Sequence, residues 1–237
     1  MSLAGGATVV IWNDVVEGAR GDFVAWHNRE HIPERLSVPG FRRGRRCRAV
    51  TGGPEFLTLY EADGIDVLSS GPYLDRLNAP SDATRRVLPQ FRNTARSLCR
   101  VAASLGCGIG GFIATVRFAG ATDDLNAADA TAEFSDVASG MLHHSAEMTG
   151  AHLLMRDLAA SGQKIEETRL RTESVTMPGA VILLEATSAR PAEEGASALS
   201  DALGGFLAPE GPIGLHQLEF CLTAEDCARH ALAARLD

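Results

Sequence analysis

The sequence predicts an α+β protein built from two copies of one βαββαβ unit. Short β-branched apolar runs alternate with amphipathic segments, and the order of these elements is the same before and after a glycine-rich stretch at residues 106–111. Of the 237 residues, 45% are hydrophobic, so the chain buries enough apolar surface to fold without disulfides or metal ions. We therefore expect two units, at residues 7–108 and 109–237.

Turn residues and periodicity predict the elements of the first unit. A β-branched apolar run at residues 8–12 favours a buried strand. A helix then begins at Asp22, a good N-cap, and is expected to end or kink near His31, because Pro33 disfavours helical geometry in the residue before it. The remaining elements are an antiparallel hairpin of residues 41–50 and 55–62, a helix over 67–77 and a strand over 94–103.

The second unit repeats this order with little sequence identity. Residues 181–186 match the apolar pattern of residues 56–62. An extra polar and charged segment at 161–175 is expected to form a surface excursion or a lid. The predicted elements are a strand at 111–118, a helix at 131–147, strands at 150–158 and 180–187, a helix at 192–203 and a strand at 213–222.

A βαββαβ unit is typical of the ferredoxin-like arrangement, a four-stranded antiparallel sheet with both helices on one face. The other face of each sheet must also be covered. Two such units packed sheet to sheet would form an intramolecular α/β barrel with helices outside and a small cavity inside.

Residues 26–33 (WHNREHIP), followed by 39–41 (PGF) and an arginine-rich strand, resemble the same passage in the EthD-like branch of the dimeric α/β-barrel proteins. The resemblance covers residues 8–105 by motif and the second half by topology. It implies a barrel fold with a small-molecule pocket, in a superfamily of cofactor-independent monooxygenases, isomerases, cyclases and haem proteins. That superfamily has no common catalytic set, so the match at His27, Glu30, His31 and Pro33 brings no role with it.

His27 and His31 are four residues apart, so both imidazoles project from one face of a continuous helix. Either could act as a general base or bind a ligand, and His31 is the preferred base; the alternative is that the pair caps the end of the helix. The H-x-x-E-H pattern also matches a zinc protease signature, but residues 101–108 offer no carboxylate as a third ligand. We predict no cofactor, and haem or a metal at these histidines is the alternative.

Arginines and aromatic residues supply the other candidates. Arg46, one of five arginines within residues 42–48, is predicted to hold a carboxylate or an enolate at the cavity mouth. Tyr60 is predicted to stabilise the same negative charge. We expect its strand face to point into the cavity and the aliphatic face of the strand to lie under the helices. The predicted pocket residues are Val10, Trp12, Trp26, Phe56, Thr58 and His216, for which plain core packing is the alternative.

Charge and composition exclude several kinds of partner. The net charge is −8, so the field of the whole molecule does not favour nucleic acid. The apolar runs are far shorter than a membrane span requires. Five cysteines without a C-x-x-C pair and the absence of a signal peptide predict a reduced, cytoplasmic protein, a monomer or a homodimer.

These observations predict a small-molecule enzyme that transfers protons, with or without oxygen, in an internal apolar pocket. His31 or His27 would be the base, and Tyr60 and Arg46 would hold the negative charge that develops. Oxygenase, isomerase and cyclase chemistry all fit this description. The alternative is a non-catalytic ligand-binding or accessory protein on the same fold.

Overall fold

A computed structural model describes residues 2–120 and 124–233. Within those residues the strands close into one antiparallel barrel in the order β1-β3-β2-β8-β5-β7-β6-β4. The strands are β1 Ala7–Val15, β2 Phe41–Thr51, β3 Phe56–Ala62, β4 Phe91–Gly106, β5 Phe112–Phe118, β6 Met148–Arg156, β7 Ala180–Ala186 and β8 Gly214–Thr223. The predicted α+β class and the closed barrel are confirmed.

The two halves of the barrel have the same internal strand order. In each half the fourth strand pairs with the first, the first with the third and the third with the second. Antiparallel pairs of β2 with β8 and of β4 with β6 join the halves and close the ring. The last four residues of the predicted second unit, 234–237, lie outside the described residues.

Helices cover the outside of the barrel. They are α1 Arg20–Trp26, α2 Ile32–Leu36, α3 Gly71–Asn78, α4 Asp82–Val87, α5 Asp124–His144, α6 Leu158–Ser161, α7 Glu166–Arg169, α8 Ala189–Leu203 and α9 Ala224–Ala233. The last of these follows β8 and was not predicted. Across the described part of the chain, no helix is both long enough and apolar enough to span a membrane.

The helix was predicted to end or kink near His31; it does not end there, but its geometry changes. A π-helical turn, His27–His31, joins α1 to α2, and the backbone N–H of Ile32 donates to the carbonyl oxygen of His27. Because Pro33 has no N–H, a regular helix would lose a bond here, and the wider π turn lets the helix continue without a break. Ile32 keeps helical dihedral angles in spite of the proline after it.

Side chains fill the barrel interior, where the cavity was expected. It is occupied by an apolar cluster that includes Val10, Trp12, Leu57, Leu59 and Leu183. Each of these residues has at most 1% of its surface exposed. An eight-stranded barrel is just wide enough for its inward side chains to fill it. Among the described residues, the predicted pocket is therefore not found inside the barrel.

A buried charge cluster lies inside the same barrel. Arg45 donates to Glu61 and to Glu185, each at 2.9 Å, and none of the three side chains has any exposed surface. Glu185 belongs to the second half of the chain, so this arginine joins the two halves. The net charge is +3 for residues 1–110 and −11 for the rest. The ion pair of Arg45 with Glu185 is a contact between these two oppositely charged halves.

Candidate active site

A small cavity lies between the first helix and the outer face of strands β1 and β3. Its volume is about 20 Å³, enough for roughly one water molecule. Residues of the helix, the sheet and the 161–175 insertion enclose it. Its lining includes Phe23, Trp26, His27, His31, Arg35, Thr58, Tyr60, Tyr73, Phe91, Arg96, Glu167 and Arg171.

His27 and Tyr60 form a buried pair at this cavity. The Nε2 atom of His27 lies 3.1 Å from the hydroxyl oxygen of Tyr60, in hydrogen-bonding distance. The Nδ1 atom of His27 is buried and has no partner among the described groups. A buried imidazole nitrogen without a partner costs free energy unless a ligand bonds to it.

His31 has fewer hydrogen-bonding partners than His27 among the described residues. No described residue forms a hydrogen bond with its side chain, and its Nδ1 atom is buried without a partner. Its ring lies 4.2 Å from that of Trp26 and 5.7 Å from that of His27, almost parallel to the latter. Both imidazoles lie within the π turn, at its first and last residues. π turns of this kind are frequent at functional sites.

Burial sets the protonation state of all three groups. Removal from water lowers the pKa of His27 and of His31 well below the usual value, and the positive charge of Arg35 lowers both further. Burial raises the pKa of Tyr60. At neutral pH the cavity therefore presents two neutral imidazoles, which can accept a proton, and one neutral phenol, which can donate a hydrogen bond.

This burial predicts a pH-dependent stability. Below about pH 6.5 the histidines of the unfolded chain take up protons that the folded protein does not. The unfolded state then binds more protons, so the free energy of unfolding falls as the pH drops, by up to about 1.4 kcal/mol per pH unit and histidine. Urea unfolding at pH 7.5, 6.0 and 5.0 measures this slope.

The variants His27→Gln and His31→Gln are expected to flatten the slope. His144 provides the matched control, because it is exposed at the end of α5; His144→Gln should keep the wild-type slope. Equal slopes in all four proteins would contradict the assignment of His27 and His31 as buried neutral groups.

Arg35 ties the insertion to the cavity. Its guanidinium is buried and pairs with Glu34 at 3.2 Å and with Glu167 from α7. The insertion therefore covers this site, as a lid would. The sequence carried a signal for Arg35, since it follows His27 and His31 at the same four-residue spacing. It carried none for Glu167, which stands in a segment without periodicity.

The structure brings together only part of the predicted site. His27, His31, Tyr60, Trp26 and Thr58 line the cavity. Phe56 lies beside it, with its ring 4.5 Å from that of Phe23. The remaining three predicted pocket residues are buried elsewhere: Val10 and Trp12 in the barrel interior, and His216 with its Nε2 atom 3.3 Å from the Pro54 carbonyl oxygen.

Two predictions about orientation are corrected. The helices cover the face of β3 that carries Thr58 and Tyr60, whereas Leu57 and Leu59 point into the barrel. The predicted assignment was the reverse, because it placed the aliphatic face under the helices. Arg46 does not line the cavity but bonds to Asn28 at 2.6 Å and to Glu219 at 3.3 Å.

Comparison by sequence gives no relatives: no protein-family model matches the chain, and no curated protein does. Comparison by structure gives many. An anthrone oxidase-like protein matches with a TM-score of 0.62 and 12% identity over 92% of each chain. A "putative monooxygenase" of Lactobacillus acidophilus matches at 0.54 with 6% identity, over 93% of this chain and 97% of that one. A second, of Fusobacterium nucleatum, matches at 0.52 with 7% identity, over 93% and 96%. The fold is thus that of dimeric α/β-barrel-like proteins.

The prediction of no cofactor is contradicted by other structures of this fold. A heme-binding protein of Thermus thermophilus matches over 97% of this chain with a TM-score of 0.46 and 12% identity. A heme-degrading enzyme of Listeria monocytogenes matches over 90% with a TM-score of 0.41 and 10% identity. A structure described as a "putative chlorite dismutase" matches with a TM-score of 0.51 and 12% identity over 97% of this chain and 99% of that one, and on this likeness the prediction of no cofactor is withdrawn.

The residues of this chain do not fit haem where the sequence placed it. The cavity at His27 and His31 has about 20 Å³, far less than the several hundred Å³ typical of small-molecule sites. A larger depression of about 400 Å³ lies outside Trp26, but its described lining has no histidine, cysteine, methionine or tyrosine to ligate iron. The described residues also contain no cluster of three histidine, cysteine or carboxylate side chains that could hold a metal ion.

Proposed function

We propose that the cavity is the active site of a small-molecule enzyme that removes a proton from an aromatic or polyketide-like substrate. The observation that carries this proposal is the neutral His31 imidazole, which lines the cavity without any hydrogen-bonding partner beside the His27–Tyr60 pair. Neutral imidazole is a competent general base at physiological pH. Proton removal would be the first step of oxygenase, isomerase or cyclase chemistry alike.

His31 accepts the proton in this mechanism. A C–H bond conjugated with a substrate carbonyl, directly or through an aromatic ring, breaks; its electron pair moves through that conjugated system onto the carbonyl oxygen, and the proton goes to the imidazole. The enolate oxygen accepts a hydrogen bond from the Tyr60 hydroxyl, and His27 orients that hydroxyl from 3.1 Å. Burial opposes a lone imidazolium, so the cation forms together with the enolate that neutralises it.

Space for a substrate extends beyond the inner cavity. An outer depression of about 190 Å³ lies against the insertion and shares Arg96 and Arg171 with the cavity lining. An aromatic substrate would lie in this depression under the insertion, and the inner cavity, with the space of about one water molecule, would take only its reacting end at His31.

Hydrogen–deuterium exchange of anthrone tests the proposal. The ring-flanked methylene group of anthrone is acidic, and its loss of protons in D₂O is followed by NMR under nitrogen. We expect the protein to accelerate this exchange over buffer alone. An oxygen electrode, used on a second sample in air, then tells whether oxygen uptake follows proton removal, with anthrone and one O₂ giving anthraquinone and one water.

A binding titration with anthrone, compared with the exchange rate, separates the enzyme from the alternative function. Anthrone that binds without faster exchange would favour the non-catalytic ligand-binding or accessory protein. Exchange at the buffer rate with no binding would contradict the assignment of this cavity to such substrates.

We also propose that the chain is a tandem repeat of two ferredoxin-like units, at residues 7–108 and 109–237, related to the EthD-like branch. The identical strand order of the two halves supports the repeat. The helix motif of His27, Glu30, His31 and Pro33 supports the branch, and in the structure two of these four residues line the cavity.

A further inference from the structure

The outer depression combines three cationic side chains with neutral polar and apolar groups. Arg96 comes from β4, and the other cations come from the insertion: Arg171 and Lys164, the only lysine in the chain. The neutral polar residues of the lining are Ser161, Gln163 and Thr168, and Gly162, Val175 and Met177 complete it. No described acidic residue lines this depression.

Arg96 and Arg171 are half-buried, and unlike the buried Arg35 and Arg45 they form no ion pair with a described carboxylate. Within residues 2–120 and 124–233, neither has a carboxylate oxygen within 4.0 Å, whereas the buried Arg35 and Arg45 each pair with two carboxylates. Their side-chain hydrogen bonds go to neutral hydroxyls at 3.3 Å, from Arg96 to Tyr73 and from Arg171 to Thr94. Each guanidinium keeps further N–H donors for a ligand.

The two guanidinium groups also repel each other. Burial and the charge of Arg96 lower the pKa of Arg171 to about 10. The charge of Glu167 offsets this in part, but Glu167 forms its ion pair with Arg35. Two half-buried cations without an ion-pair partner of their own are unfavourable in the free protein, and an anion between them reduces both the repulsion and the desolvation cost. Guanidinium forks match the two oxygens of a carboxylate.

We propose that Arg96 and Arg171 bind the anionic group, a carboxylate in particular, of an aromatic small molecule. This inference rests on the proposed function for the other end of the ligand, which reaches His31. Arg96 and Arg171 line both the inner cavity and the outer depression. A ligand whose anionic group they hold therefore extends inward to the His31 imidazole. The substrate class is therefore an aromatic acid.

A matched pair of fluorescent probes tests the inference without any turnover. 8-Anilinonaphthalene-1-sulfonate carries one anionic group, and N-phenyl-1-naphthylamine has the same ring skeleton without it. We expect the anionic probe to bind about tenfold more tightly than the neutral one, and the difference to shrink as salt is added.

Arg96→Gln and Arg171→Gln are each expected to weaken binding of the anionic probe about tenfold while the neutral probe binds as before. Arg169→Gln is the control, because Arg169 lies on α7 of the same insertion but is exposed and pairs with Glu166; it should behave as wild type. If a glutamine variant fails to fold, Arg96→Lys and Arg171→Lys keep the charge, and they should retain most of the preference for the anion.

Equal affinities for the two probes in the wild type, or equal losses for both probes in the variants, would overturn the inference. The two probes bind without any proton transfer, so their affinities report on the anion site alone. Failure of the anion site is thus distinguishable from failure of proton transfer, which the exchange of anthrone measures separately.

Discussion

Replacement of His31 by glutamine is expected to slow the protein-dependent exchange of anthrone by about 100-fold or more. A positioned general base contributes roughly 10²–10⁴ to a rate, and glutamine has a similar size but no basic nitrogen. The side chain has no hydrogen bond to lose among the described residues, so the folded structure should survive. Initial exchange rates by NMR, at equal protein concentration, measure the effect.

Two further variants sharpen this prediction. Tyr60→Phe keeps the ring and removes the hydroxyl that would hold the enolate, and loss of one such donor costs about 10²–10³ in rate. His144→Gln alters an exposed histidine, whose Nδ1 atom lies 2.7 Å from the carbonyl oxygen of Gly140, and should leave the rate unchanged. A wild-type rate in His31→Gln would contradict the role of His31 as the base.

Replacement of Arg45 by methionine is expected to lower the free energy of unfolding by about 3–5 kcal/mol. Arg45 is the shared partner of Glu61 and Glu185, and all three side chains are fully buried. Burial by itself would raise the pKa of Glu185, but bonds from His152 and Arg45 outweigh that effect and lower it. Methionine would leave buried carboxylates with too little positive charge. Urea unfolding at pH 7.5 measures the loss.

Arg42 on the same strand is the matched control. It pairs with Asp63 at 2.5 Å, but about half of each side chain is exposed to solvent. Exposed ion pairs contribute about 0–1 kcal/mol, so Arg42→Met should change the stability little. An equal, small effect of both substitutions would show that the buried cluster does not hold the two halves together.

Much of the fold follows from local patterns. The hairpin of β2 and β3 was predicted from its glycine-containing turn, and both Gly52 and Gly53 have the positive φ angles that such a turn requires. The π turn was not predicted, because Pro33 alone favours a helix end. A continuous helix resulted because α2 packs Ile32 before the proline and Leu36 after it into the core, and that gain in burial outweighs one missing hydrogen bond.

Only part of the candidate site could be predicted, because local sequence patterns do not show which elements pack against each other. His27 and His31 share a helix face whatever lies opposite, so their proximity could be read from their spacing. Their pairing with Tyr60 depends on which face of β3 meets the helix. Alternation along a strand assigns residues to two faces but does not say which face is inside.

Local sequence thus specifies the type and order of the elements, since turns, caps and periodicity act over a few residues. The choice between the faces of each strand came from packing between the halves. Leu57 and Leu59 fill the barrel, and Glu61 beside them meets Arg45, which also binds Glu185 from the other half. These contacts turn Tyr60 outward to the histidines. Contacts between residues more than 100 positions apart leave no periodic trace in the sequence, so the position of the cavity is a property of the assembled barrel.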